Sequence, residues 1–293
     1  MAFDIVGDIA IVEPEANGKE ILKKHKNINV VLAKKGEVEG EYRIRDYEII
    51  DSRPDARDFG DVPGLLRPRK LTETIHKENN CRFKIDPTEA YFSVRLSTER
   101  QRVTDKVKKG ENVLVMFAGV GPYAINIGKN KEPNLVVGIE LNPNAVAFFE
   151  QNIELNKLVG KVKAFEGDVK DIVPKLNEEF DRVIMPLPKD AETFLYLANK
   201  RLKKRGMIHL YKILHENDVD DFIHEIKKNM NRIKIDVVKA GEYAPGAYRY
   251  CFDIQTGVER KSKEKIKDAK KKVSGKVKKA TDKLKKKIKK KKK

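Results

Sequence analysis

An apolar run, Val113-Leu-Val-Met-Phe117, breaks into the turn Ala118-Gly-Val-Gly-Pro122. A helix-length later a second apolar run, Val136-Val-Gly-Ile139, ends in Glu140. No other feature constrains the fold as much. Glycines at a strand-to-helix turn let a ligand approach the main chain, and a carboxylate ending the next strand takes ribose hydroxyls. Gly119 and Glu140 stand about 20 residues apart, the spacing expected of such a pair. Taken alone, Gly119 and Gly121 would equally serve a tight structural turn; Glu140 favours the nucleoside site. The third glycine of the dinucleotide fingerprint is missing and Pro122 follows instead, which points to a nucleoside without a pyrophosphate. S-adenosylmethionine is the commonest such ligand.

Around this turn the chain alternates strand and helix. Strands are predicted at Val113–Met116, Val136–Glu140, Lys161–Glu166, Arg182–Met185, Met207–Tyr211, Ile233–Val238 and Arg249–Gln255. Helices are predicted over Tyr123–Gly128, Pro143–Asn156, Ala191–Lys203 and Asp218–Met230, and another starts near Ser97 or Thr98 as its N-cap. Such alternation implies an α/β fold, a doubly wound and mostly parallel sheet with helices on both faces. Residues 1–84 read as a small α+β, strand-rich module with runs at Phe3–Val12, Ile28–Leu32 and Tyr42–Ile50. Thr72–Ile75 and Cys81–Ile85 form a hairpin leading out of it. The expected organisation is 1–84, then 85–258 as the catalytic sheet domain, then 259–293 as a tail.

Charge marks the tail off. The chain carries +18, and from Glu259 to Lys293 there are 20 Lys or Arg against 4 acids, leaving about +2 for everything before it. Ile266, Ala269, Val273, Val277, Ala280, Leu284 and Ile288 recur at helical spacing, so the tail reads as a basic amphipathic helix, interrupted by Gly275, that orders on contact with a partner. Attraction to phosphate is the leading use, against a merely solubilising tail or an acidic membrane surface. No run of eighteen apolar residues predicts a membrane span. No basic-then-apolar leader opens the chain, and the two distant cysteines, Cys81 and Cys251, suggest a reducing, cytoplasmic setting.

Three further groups carry possible chemistry. Asp168, in Glu166-Gly-Asp168 after the next strand, either accepts an adenine amino hydrogen or caps the helix beginning at Val169. After the fourth strand comes Ile184-Met-Pro-Leu-Pro-Lys189, where a methyl donor's reactive end would lie. It holds neither the Asn or Asp nor the aromatic residue of exocyclic-amine methylation. No thiolate stands ready for cytosine-C5 chemistry, so a ring nitrogen or another acceptor remains. Glu99 lies among Arg95, Arg100 and Arg102. This is either a salt-bridged surface turn or a carboxylate base held among cations. The five histidines make no ligand spacing, so no metal is expected.

Several ordered blocks resemble the archaeal-type tRNA guanine-37-N1 methyltransferases and the related wybutosine-pathway aminocarboxypropyltransferases. They are Tyr42-Arg-Ile-Arg45, Thr72-Glu-Thr-Ile-His-Lys-Glu78, Tyr91-Phe-Ser-Val-Arg-Leu-Ser-Thr-Glu-Arg100, Met116-Phe-Ala-Gly-Val-Gly-Pro122, Glu140-Leu-Asn-Pro143 and Met185-Pro-Leu-Pro-Lys189. The likeness runs from about residue 1 to 255 and leaves out the tail. It implies a class I S-adenosylmethionine-dependent enzyme acting on the anticodon arm of tRNA, with Glu99 removing the N1 proton and Arg45 steadying guanine O6. Phe117, Gly119, Gly121, Glu140 and Asp168 would hold the cofactor. Pro186 stands where many relatives have an amide that helps hold the guanine, and Val115 where many have an acid. The resemblance further implies that an outer tRNA-contacting domain of the family is absent. A monomer is expected. Aminocarboxypropyl transfer, and a non-catalytic RNA-binding protein with a worn cofactor site, are the alternatives.

Overall fold

The computed structural model describes residues 3–258; the tail reading for 259–293 lies outside the described residues. Four strands form the first sheet: β1 (Asp4–Val6), β2 (Ile9–Val12), β3 (Val30–Glu39) and β4 (Ile44–Ser52), in that order. The predicted single run Phe3–Val12 is two strands, because Gly7 turns the chain at φ +58° against β5 (Thr74–Glu78), where a Cβ would fall 2.1 Å from Thr74 Oγ1. A helix that the hydrophobic pattern does not announce, α1 (Gly18–Lys24), makes the crossover that lets β2 and β3 run parallel. Its cap is Asn17, whose side chain accepts from Glu20 N at 3.2 Å.

The predicted hairpin is present as β5 paired antiparallel with β6 (Cys81–Ile85). Asn152 and Asn156 clamp it to the helix α4 (Pro143–Leu155): Asn152 Oδ1 accepts from Lys84 N at 2.6 Å, and Asn156 Oδ1 from Arg82 N at 2.9 Å. Asp8 ties the first sheet to the same hairpin. It accepts from both Arg57 Nε and Thr74 Oγ1, at 2.8 and 2.6 Å.

The main sheet has seven strands in the order β12-β13-β11-β10-β7-β8-β9. In chain order they are β7 (Asn112–Met116), β8 (Leu135–Glu140), β9 (Val162–Glu166), β10 (Phe180–Met185), β11 (Leu202–His215), β12 (Lys234–Ala244) and β13 (Ala247–Gln255). The first five are parallel, and β13 inserts antiparallel between β11 and β12. The doubly wound, mostly parallel sheet read from the sequence is therefore what the chain builds. Along β7, Val113 and Val115 face one core with Phe83, Phe149 and Tyr211, while Leu114 and Met116 face a second with Phe180 and Phe252. A strand buried on both faces is apolar throughout, which is why β7 reads as an unbroken run.

Helices α2 (Ser97–Asp105), α3 (Pro122–Asn130) and α4 pack on the first face. On the other lie α5 (Val169–Ile172), α6 (Leu195–Arg201) and α7 (Val219–Asn229). Two expectations fail locally. Neither Ser97 nor Thr98 caps α2, since both lie inside it and Leu96 holds the cap position without a side-chain bond; the helix grows directly out of the 3-10 turn Val94–Leu96. The helix predicted to Lys203 stops at Arg201, because Leu202 already pairs with Phe180 at the start of the long strand β11.

Arg100, 2% exposed, bolts α2 to β5, its Nε donating to Glu78 Oε1 at 2.6 Å. Burial opposes ionisation of Glu78, yet bonds from His76 and Arg100 overcome it and hold the carboxyl at about 2, below its ordinary 4.5. A depressed carboxyl stabilises the fold above its unfolded pKa and loses that contribution as pH falls through the folded one. Stability measured by urea denaturation is therefore expected to fall between about pH 4.5 and 2. Glu78→Gln should flatten that limb and cost about 3–5 kcal/mol at neutral pH, because it strands the Arg100 charge.

Candidate active site

Strand order reverses between β7 and β10, and in open α/β sheets the crevice beyond the strand ends at such a switch point takes the ligand. There the tips are bonded to one another. Gly119 N donates to Glu140 Oε2 at 2.7 Å, Leu141 N and Asn142 N both donate to Glu140 Oε1 at 2.9 Å, and Gly167 N donates to Glu140 O at 2.9 Å. Phe117 takes φ +60°, a left-handed conformation that a bulky residue adopts at a cost of about 1–3 kcal/mol and that clusters at functional sites. Its ring meets Phe194 edge-on at 5.1 Å.

The two glycines of the turn do different work. At Gly121 (φ +84°) a Cβ would lie 2.1 Å from Phe149 Cδ2, so close packing of turn on helix requires glycine. At Gly119 (φ +57°) a Cβ would meet only Tyr91 O, at 3.8 Å; that side of the turn is open. Asp168 caps α5, its Oδ1 accepting from Lys170 N at 2.8 Å, as the plainer of its two readings expects. Its Oδ2 is 3.9 Å from Lys170 Nζ.

Residues 86–96 cross over these tips. Asn142 Nδ2 donates to Glu89 O at 2.8 Å, and Tyr91 sits beside Gly119. Beyond Tyr91 opens a cleft of about 250 Å³, and Arg45 lines it, with Nη1 donating to Gly36 O at 2.6 Å. Pro186 stands half-buried immediately past the end of β10.

Glu99 is 5% exposed and is not a surface turn. Arg102 Nε and Nη2 grip its two oxygens at 2.7 Å each, and Tyr211 donates to Oε1 at 2.6 Å. Tyr123 donates in turn to Tyr211 at 2.9 Å, which links Glu99 to the first turn of α3 just after the glycines. Burial above all holds both phenols well above their ordinary range, so they remain neutral donors. Of the arginines near Glu99 in sequence only Arg102 touches it; Arg95 pairs with Asp4 at 2.8 Å and Arg100 with Glu78. Arg45 is not a partner of Glu99 either: Arg45 lines the cleft, whereas Glu99 is buried behind it and is not part of its lining.

Behind Glu99 lies a buried network that the sequence reading missed. Arg102 Nη1 also donates to Asp253 Oδ2 at 2.7 Å, and Asp253 contacts Lys106 at 3.0 Å and His209 Nδ1 at 2.5 Å. Burial opposes ionisation of Asp253, but His209, Arg102 and Lys106 bring it far below the carboxylate range. A signal was available: Asp253 is the one charge in the run Tyr250-Cys-Phe-Asp-Ile254, whose other members are apolar or aromatic. His209, Cys251 and Asp253 bring potential ligand atoms within 4.8 Å of one another. Burial, then Asp253 and Glu99, push the Cys251 thiol well up, and the cations already around Asp253 leave the cluster poorly suited to a metal. The Cys81 thiol is pushed up to about 12 by burial, so neither cysteine offers a thiolate.

A family model described as the TRM5/TYW2 methyltransferase domain matches residues 74–238. The tRNA (guanine(37)-N(1))-methyltransferase Trm5b of Pyrococcus abyssi is 38% identical over 268 residues, which cover 87% of this chain and 74% of that protein. Among solved structures, the complex of aTrm5 and tRNALeu is similar with a TM-score of 0.74 at 32% identity, covering 87% of this chain and 72% of that one. M. jannaschii TYW2 in complex with AdoMet follows with a TM-score of 0.63 at 27% identity, over 87% and 98% of the two chains.

The unequal glycines give a direct test of the tip geometry. Gly121→Ala should destabilise by about 3 kcal/mol or more, from strained φ plus overpacking. Gly119→Ala should cost only about 1 kcal/mol yet weaken S-adenosylmethionine binding at least tenfold. Thermal unfolding and calorimetry read the two effects separately, and equal thermal losses would contradict this division.

Proposed function

Because the chain belongs to the TRM5/TYW2 methyltransferase family, we propose that it transfers the methyl group of S-adenosylmethionine to N1 of guanine 37 in the anticodon arm of tRNA. The observation that carries the reading is Glu99: a buried carboxylate, gripped on both oxygens, one phenol away from the turn that follows the cofactor glycines. Guanine N1 is protonated and poorly nucleophilic. Removing its proton pushes charge onto O6, so the reaction needs one base and one fixed cation. Glu99 is assigned the base and Arg45 the cation. Neither contacts the other, and they would act together on a base splayed into the space between them; unstacking an unpaired nucleotide costs a few kcal/mol at most.

When bound, S-adenosylmethionine supplies the electrophilic methyl. Gly119 gives it an open approach to the main chain, and Glu140 offers ribose hydroxyls the lone pairs left over by Gly119, Leu141 and Asn142. Asp168 would accept from the adenine amine through Oδ2, and Phe117 would cover the ring. Pro186 offers no side-chain amide, so guanine orientation falls to Arg45 and to main-chain oxygens at the β10 tip. The small first sheet positions the arm, and the tail supplies sequence-independent phosphate affinity. The protein works as a monomer in the cytoplasm.

Incubation with unmodified tRNA transcript and cofactor, followed by nucleoside mass spectrometry, is expected to yield 1-methylguanosine, with no product from a transcript lacking guanine 37. A heavier adduct would indicate aminocarboxypropyl transfer, and no cofactor uptake a binding module. Glu99→Gln should lower kcat by about 100-fold or more with cofactor affinity unchanged. It should also cost about 1–3 kcal/mol of stability, since Arg102 loses a charged partner. Full activity of that variant would assign the base elsewhere. Removal of residues 259–293 should weaken tRNA binding and flatten its salt dependence; equal affinities at low and high salt would refute the tail's role.

A further inference from the structure

The cleft beside Tyr91 has three walls from distant parts of the chain: Arg43 in the turn before β4 with Arg45 at its start, residues 91–96 of the crossing segment, and the β12–β13 hairpin through Ala240–Tyr243 and Arg249. The hairpin is docked, because Val238 and Ala240 pack into the same cluster as Phe92 and Val94. Register shifts at Lys239/Gly241 and Glu242/Ala244 bend its outer strand, and such bulges re-aim side chains.

The cations of the cleft are not equivalent. Arg95 is paired with Asp4, and Arg45 is held by Gly36 O with Glu37 3.6 Å away. Arg43 and Arg249 have no carboxylate partner among the described residues. Arg43 lies over the Tyr91 ring at 5.8 Å, and Arg249 has its Nε buried with no hydrogen bond at all. A buried donor without an acceptor costs about 1–3 kcal/mol, and the Arg249 guanidinium is not committed to a protein acceptor through that atom. Beside these cations two aromatic rings are open to solvent, Tyr91 at 46% and Tyr243 at 54% exposure. Unpaired guanidinium groups interleaved with exposed tyrosines are what a single-stranded nucleic acid requires: phosphates or base edges for the first, base faces for the second.

We propose that the β12–β13 hairpin is an RNA-binding wall, with Tyr243 stacking an unpaired loop nucleotide next to the target base and Arg249 and Arg43 taking the phosphate that follows it. This rests on the tRNA reading above and adds to it a contact surface from the far edge of the sheet, on the opposite wall of the cleft that Arg45 lines. Stacking on Tyr243 fixes the neighbouring base while the target is splayed out.

Tyr243→Ala, Tyr243→Phe, Arg249→Gln and Arg249→Lys in the full chain test this, with a tRNA transcript as the probe. Tyr243→Ala and Arg249→Gln are each expected to raise the tRNA KM about tenfold, in line with the loss of one stacked base or one phosphate contact. Tyr243→Phe should retain wild-type KM, kcat at saturating tRNA should stay within twofold, and cofactor affinity should not move. Arg249→Gln should reduce the salt slope of tRNA binding by about one unit, while Arg249→Lys keeps it. Unchanged tRNA KM in both truncating variants overturns the inference. So does a loss of cofactor affinity, which would place Arg249 on the cofactor instead. Failure of the wild-type protein to bind or methylate tRNA would sink the parent reading, and that arm is read before any variant.

Discussion

One guanidinium holds two buried carboxylates, and the candidate site depends on it. Arg102 lies between Glu99 of α2 and Asp253 of β13, with every contact to them at 2.7 to 3.3 Å. At the effective dielectric of a protein an ion pair near 4 Å is worth about 4 kcal/mol, and desolvating each ion costs several kcal/mol. The two nearly cancel, so the arrangement contributes little to net stability. Its contribution is geometric. Glu99 cannot rotate away without leaving Arg102 with one carboxylate partner and the Tyr211 hydroxyl without the carboxylate that accepts its proton, and a proposed base that is fixed before substrate arrives needs no reorganisation later. Asp253 is itself fixed by Lys106 and by His209, whose far nitrogen meets Arg182, which pairs with Glu111. Charges alternate along the chain of contacts, and no ion in it is left alone.

The strand tips are organised by the same economy with a different group. Glu140 satisfies three backbone donors at once, those of Gly119, Leu141 and Asn142, and its own carbonyl takes Gly167. A single residue, through its carboxylate and its own carbonyl, therefore draws the ends of β7, β8 and β9 together before any ligand is considered. This accounts for the left-handed backbone at Phe117: the chain must turn sharply where Ala118 N reaches Ile139 O, and neighbouring bonds over-determine the turn.

What the sequence disclosed and what it hid divide along sequence separation. The apolar runs of β7 and β8, the glycine turn and the closing Glu140 are local signals, and they suffice to place the doubly wound sheet. Asn142 and Pro143 marked the start of α4 for the same reason: the cap and the N1 proline act within one turn. The break at Gly7 was invisible because its cause, Thr74, lies 66 or 67 residues away, bonded to Asp8. Ser97 and Thr98 had the chemistry of a cap, but a preceding 3-10 turn carried the helix back past them. Glu99 and Arg45 were nameable from resemblance; that Tyr211 and Arg102 hold the first, 112 and 3 residues distant, was not. Helix periodicity could have offered Arg102, since three-residue spacing places it over Glu99. Nothing short of the sheet register brings Asp253 opposite His209.

The register also explains why the small first sheet and the far edge of the large one can serve one cleft. Asp8 fixes the first sheet to β5 through Arg57 and Thr74, Asn152 and Asn156 fix that hairpin to α4, and Asp4 reaches Arg95 in the crossing segment. On the opposite side nine consecutive pairs from Met207↔Gln255 to His215↔Ala247 carry β13 outward past the ends of the parallel strands. The long β11, which the local pattern cut short at Tyr211, is what makes that extension possible. Without its last four residues, β13 would be paired over Ala247–Tyr250 with β12 alone, and the hairpin holding Tyr243 would lose the strand that ties it to the rest of the sheet. The wall of the cleft thus follows from the length of a strand that continues past Tyr211 through Lys212-Ile-Leu-His215, each of them paired with β13.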